Sequence, residues 1–94
     1  MNKKLSPSEI ESQLNVFEGW HYDENAKMIL KTFHFKSYLK TIAFVNAIAW
    51  LANKENHHPD LEVSFDKCVV KFTTHDEGGV SLKDFDCAMK VNQL

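Results

Sequence analysis

One long helical stretch, Tyr38 to about Glu55, is free of Gly and Pro and separates two pairs of short β-prone runs; this arrangement constrains the fold more than anything else in the chain. Ser37 opens the stretch. Before it, Trp20-His21-Tyr22 and Met28 to Phe35 flank the polar turn Asp23-Glu24-Asn25-Ala26-Lys27, and Ile29, Lys31, Phe33 and Phe35 alternate with Leu30, Thr32 and His34, as in an antiparallel hairpin. After Pro59, Leu61, Val63 and Phe65 alternate with Glu62 and Ser64. Asp66-Lys67 turns the chain, and Cys68 to Thr74 runs back through Val70 and Phe72 as a second hairpin. Ser6-Pro7-Ser8-Glu9 carries a capping box with Pro at the first helical position, which predicts a short helix to about Asn15. Gly78-Gly79 break the pattern, and Ser81-Leu82-Lys83-Asp84 caps a last helix bearing Leu82, Phe85, Ala88, Met89 and Val91.

The order is therefore α-β-β-α-β-β-α. It predicts an α+β fold in which four antiparallel strands carry three helices on one face. The 94 residues make a single domain, 1–94, since domains span roughly 50–250 residues and so short a chain fills one core. The central helix has more apolar surface than one sheet needs: Phe44, Ile48 and Leu51 lie on one side, Ile42, Val45, Ala49 and Ala52 on another. Either neighbouring helices cover the surplus or another subunit does; the second reading, favoured here, predicts a homodimer or homotetramer.

Composition excludes several function classes. Eleven Lys+Arg against thirteen Asp+Glu give a net charge of -2, with the lysines dispersed, so no basic stripe for nucleic acid is expected. No apolar run approaches the ~18 residues of a membrane span, and Lys3 and Lys4 precede no leader-like apolar segment. Cys68 and Cys87, without C-x-x-C spacing, read as reduced core thiols, and the expected location is the cytoplasm.

The chemistry-bearing segment begins where the long helix must stop, at Asn53-Lys54-Glu55-Asn56-His57-His58-Pro59-Asp60. Asn56 suits a left-handed helix end, and Pro59 forces His58 into extended backbone, which holds both imidazoles on a stiff corner. Adjacent side chains in extended backbone diverge, so His57 and His58 are poorly set to share one metal and well set to reach different atoms of a flat substrate. A second segment, Thr73-Thr74-His75-Asp76-Glu77-Gly78-Gly79, ends a strand whose inward set is Cys68, Val70 and Phe72, and parity puts His75 on the other register. The glycines let backbone approach a ligand, while Asp76 or Glu77 can orient an imidazole or a ring amide. A zinc site on the three histidines lacks an acidic or Cys partner at ligand spacing. His21 and His34 read as surface or satisfied core groups, and Trp20 as a core anchor.

From Trp20 to the last helix the chain resembles the pterin-4a-carbinolamine dehydratases, whose fold is shared by dimerisation-cofactor-like proteins. The resemblance is carried by Phe33-His34-Phe35, His57-His58-Pro59, Phe65, Thr74-His75-Asp76, Gly78-Gly79 and Asp84. It implies dehydration of 4a-hydroxytetrahydropterin to quinonoid dihydropterin, in tetrahydrobiopterin recycling or related pterin metabolism, without metal or organic cofactor. The resemblance also implies roles: His57 and His75 for acid and base work, His58 for orienting the ring, and Pro59, Thr74, Asp76 and Glu77 as site lining. Asn53 departs from the charged residue usual at its position, which Glu55 would have to replace, and Leu61 stands where many relatives carry Trp. Some members act as binding modules, promoting dimerisation or assembly of a partner protein, and the apolar central helix around Phe44, Ile48 and Leu51 is the matching feature here.

Overall fold

The computed structural model describes residues 3–94; Met1 and Asn2, which the leader reading includes, lie outside the described residues. Its elements are α1 (Pro7–Leu14), β1 (His21–Asp23), β2 (Met28–His34), α2 (Tyr38–Glu55), β3 (Asp60–Val63), β4 (Lys67–Phe72), a 3-10 turn (His75–Glu77) and α3 (Leu82–Asn92). All strand pairs are antiparallel, in the order β1-β2-β4-β3. The α+β arrangement read from the sequence is the one observed.

Local chemistry explains the boundaries. Ser6 and Glu9 form a reciprocal capping box at α1, and Asp23 accepts the backbone N–H groups of Asn25 and Ala26 at 3.0 Å each, closing the β1–β2 turn. Ser37 caps α2, and Asn56 ends it at φ 52° and ψ 42°. Two strands are shorter than expected. β3 stops at Val63, because Ser64–Asp66 turns the chain and leaves Phe65 exposed at the bend. β4 stops at Phe72: Thr73 Oγ1 donates to Lys27 O at 2.7 Å, and Thr74 pairs with Gly79 instead of another strand.

Register sorts the two sheet faces. Ile29 pairs with Phe72, Phe33 with Cys68 and Leu61 with Val70, so these side chains share the covered face. Ile29, Cys68, Val70 and Phe72 form one buried cluster with Ile10 of α1, Ile48 of α2 and Phe85, Cys87, Ala88 and Val91 of α3. Trp20 is a core anchor, as expected: its ring is buried against Phe72, and Nε1 donates to Asn92 Oδ1 at 3.0 Å. Cys68 and Cys87 are buried free thiols. His21 and His34 are exposed on the other face.

The apolar arc of α2 needs a correction. Ile48 is 1% exposed, and Phe44 packs between Phe33 and Phe35 with ring centroids 4.7 and 5.0 Å away, so the face around Phe44, Ile48 and Leu51 belongs to the core. Periodicity gives the width of an apolar arc but not which part meets the sheet. The uncovered part carries Leu39 and Trp50, which are 80% and 72% exposed. Among the described residues, no helix is long and apolar enough to cross a membrane.

Candidate active site

The end of α2 sets the first imidazole. With Asn56 in the left-handed region, the His57 N–H turns back to Ala52 O at 3.1 Å, a bond that closes the last turn and aims the His57 side chain across the molecule. There Nε2 lies 2.5 Å from Asp84 Oδ1, and the ring stacks on Phe72 with a 5.8 Å centroid separation and planes 7° apart. The His57 side chain is 13% exposed and that of Asp84 fully buried.

Asp84 is the hub. Its Oδ2 accepts the Ser81 N–H at 2.8 Å and the Thr74 hydroxyl at 2.9 Å. The first bond is the capping box that starts α3; the second crosses to the end of β4. A carboxylate only accepts, so the third donor is His57 Nε2–H; in the neutral tautomer that makes this bond, Nδ1 carries the free lone pair. Among the described residues, no hydrogen-bond partner engages Nδ1.

Asn56, His57, His58, Thr73, Thr74, His75 and Asp76 line one open cleft of about 210 Å³. All three histidines singled out in the sequence thus face a common space, although their two segments are far apart along the chain. His75 enters from the 3-10 turn, which Gly78 closes at φ 74° by donating to His75 O at 3.1 Å. Of the expected lining, Thr74 and Asp76 border the cleft; Pro59 and Glu77 flank it without bordering it. The imidazole-orienting carboxylate is Asp84, where Asp76 and Glu77 were expected; both of those are exposed in the turn. Phe72 and Asn56 were not foreseen as site residues. Glu55 hydrogen-bonds Lys90 at 2.9 Å and does not border the cleft, so it does not replace the charge absent at Asn53. Donation to Glu55 and then to Asp86 holds the Lys90 ammonium above its ordinary range. Among the described residues, no group of three or more His, Cys, Asp or Glu side chains is placed to hold a metal.

Residues 3–94 match the model of the family described as pterin 4 alpha carbinolamine dehydratase. The chain belongs to this dehydratase family. A relative from Stenotrophomonas maltophilia, named provisionally as a pterin-4-alpha-carbinolamine dehydratase, is 48% identical over 91 residues, which are 97% of this chain and 78% of the relative. Among solved structures, the transcriptional coactivator/pterin dehydratase of Brucella melitensis superposes with a TM-score of 0.91 at 30% identity, over 97% of each chain. A pterin dehydratase-like protein identified as a RuBisCO assembly factor in the α-carboxysome shares the fold, with a TM-score of 0.69 at 23% identity over 81% of this chain and 88% of its own. Family membership and the names of the relatives support pterin carbinolamine dehydratase activity.

Proposed function

We propose that this chain is a 4a-hydroxytetrahydrobiopterin dehydratase, a hydro-lyase that removes water from a pterin carbinolamine by histidine acid–base catalysis in the cleft between Asn56–His58 and Thr73–Asp76. One observation carries the reading: an imidazole held by a buried carboxylate opens onto a space bordered by two further imidazoles. The elimination breaks the C4a–O bond, removes the N5 proton, forms the C4a=N5 double bond and releases water; it is redox-neutral. His57 is assigned as the base, because Asp84 fixes its tautomer and stabilises the imidazolium that forms when Nδ1 takes the N5 proton. His75, more exposed than His57, is assigned as the acid that delivers a proton to the departing hydroxyl. His58 orients the ring, and Thr74 and Asp76 supply polar edges. Proton exchange with water resets both catalytic imidazoles.

The test is elimination of water from freshly generated carbinolamine. His57→Ala and His75→Ala are expected to lose about 10²-fold or more in kcat, the scale of positioned acid–base groups. Rates equal to the unsubstituted protein in both variants contradict the reading.

A second reading is favoured by the uncovered stripe of α2 at Leu39 and Trp50. Apolar surface of this kind marks interfaces, and it fits a second copy of this chain better than a solvated helix. Trp50→Lys should then lower the sedimentation mass of the protein without touching the cleft; an unchanged mass removes the interface proposed for this stripe.

A further inference from the structure

We propose that Ser81, which borders no part of the cleft, is a positioning residue for His57 and acts through Thr74 and Asp84; the inference rests on the reading of His57 as the acid–base group. Ser81 is fully buried. Its Oγ lies 2.7 Å from Thr74 Oγ1, Thr74 Oγ1 lies 2.9 Å from Asp84 Oδ2, and Asp84 Oδ1 lies 2.5 Å from His57 Nε2. Counting protons fixes every direction in this chain. Asp84 only accepts, so Thr74 gives it its one hydroxyl proton. Thr74 Oγ1 must then accept from Ser81, whose own oxygen receives the Lys83 N–H at 3.3 Å.

The Ser81 proton therefore goes to Thr74 and the Thr74 proton to Asp84, and each bond polarises the next. A helix cap does not require this. Capping needs only that the Ser81 oxygen accept from the first turn of α3; its proton is instead directed out of the helix to the end of β4. The backbone keeps the two hydroxyls together, since Thr74 N–H donates to Gly79 O at 3.0 Å and Gly79 N–H to Thr74 O at 3.4 Å. Ser81 thus sets the Thr74 hydroxyl, Thr74 occupies one oxygen of Asp84, and the other oxygen of Asp84 is presented to His57 in a single orientation. Without the Ser81 proton, Thr74 Oγ1 becomes a part-buried acceptor lacking a donor, and its hydroxyl is free to turn away from Asp84.

The experiment pairs turnover with the His57 Nε2–H resonance in ¹H–¹⁵N spectra, using Ser81→Ala, Thr74→Val, their double variant and Thr74→Ser. Ser81→Ala is expected to lower kcat about three- to tenfold, the worth of one hydrogen bond, with KM changed by no more than about twofold. Its Nε2–H resonance should shift or broaden. Thr74→Val should change the resonance in the same way, and Thr74→Ser should keep it. The double variant should be no worse than Thr74→Val alone, because the two hydroxyls act in series. An unchanged resonance in folded Ser81→Ala, additive losses in the double variant, or a resonance in Thr74→Ser as disturbed as in Thr74→Val would each overturn the proposal. Should Ser81→Ala fail to fold, Ser81→Gly starts a helix without the hydroxyl and carries the same test. The resonance reads the relay without turnover, so a protein inactive toward carbinolamine refutes the dehydratase reading alone, and the spectra still decide the role of Ser81.

Discussion

His57 lies parallel to Phe72, with 7° between the ring planes and 5.8 Å between centroids. Two constraints of different kinds meet on this imidazole. Phe72 covers one ring face and fixes its plane, while Asp84 grips one edge and fixes rotation within that plane. Phe72 is itself part of the core, packed against Trp20. Packing at the sheet centre is therefore coupled directly to the orientation of a candidate base.

Phe72→Leu should loosen that seat. The loss of aromatic volume in the core is expected to cost on the order of 1–2 kcal/mol, measured by urea denaturation. At temperatures where the variant remains folded, kcat should fall while KM stays close to that of the unsubstituted protein. Unaltered kcat would mean that stacking on Phe72 does not position His57.

Asp84→Asn tests the grip on the edge. An amide in place of the carboxylate removes a charged acceptor from three donors, and hydrogen bonds to charged groups are worth about 1.5–3 kcal/mol. A kcat loss of about 10- to 150-fold follows from that range. Circular dichroism should show α3 retained, because the amide oxygen still accepts the Ser81 N–H. Turnover equal to that of the unsubstituted protein would remove Asp84 from the account.

Much of this was legible in the sequence because the signals are local. Ser6 with Glu9, Ser37, Asn56 and Ser81 with Asp84 each act at the helix end where they were read. Alternation gave both hairpins, and the stiff corner at His57-His58-Pro59 and the Gly-flanked end of β4 at His75 singled out the three histidines that border the cleft. What was missed is non-local. Asp84 was read as a cap and is one, yet its second oxygen serves His57, 27 residues away in sequence, and no helix-start signature encodes that partner. Phe72 was read as core and is core; its role as a platform depends on where the end of α2 falls. The α2 stripe was assigned to the wrong flank because Leu39 and Trp50 are as apolar as the residues that face the sheet.

Burial also governs the cysteines. The Cys87 thiol is pushed up to about 11 from an ordinary 9.0, chiefly by desolvation, and Cys68 is raised for the same reason. Neither should react with iodoacetamide in the folded protein near about pH 8, and both should react in guanidinium. Between 9.0 and about 11 the unfolded chain releases a proton that the folded chain keeps, so stability should fall as pH rises through that window. Cys68, raised from the same 9.0, adds to that slope, and Lys90 adds to it only above its ordinary 10.5; the fall in Tm should therefore be smaller, not absent, in Cys87→Ala. Rapid labelling of folded protein would contradict the burial of these thiols.

The most direct measurement is a crystal soaked with a reduced pterin analogue. The bicyclic ring should lie among His57, His58 and His75, with N5 within hydrogen-bonding reach of His57 Nδ1 while Nε2 stays on Asp84. A ring bound elsewhere, or one seated in the cleft with His57 turned away from N5, would contradict the account.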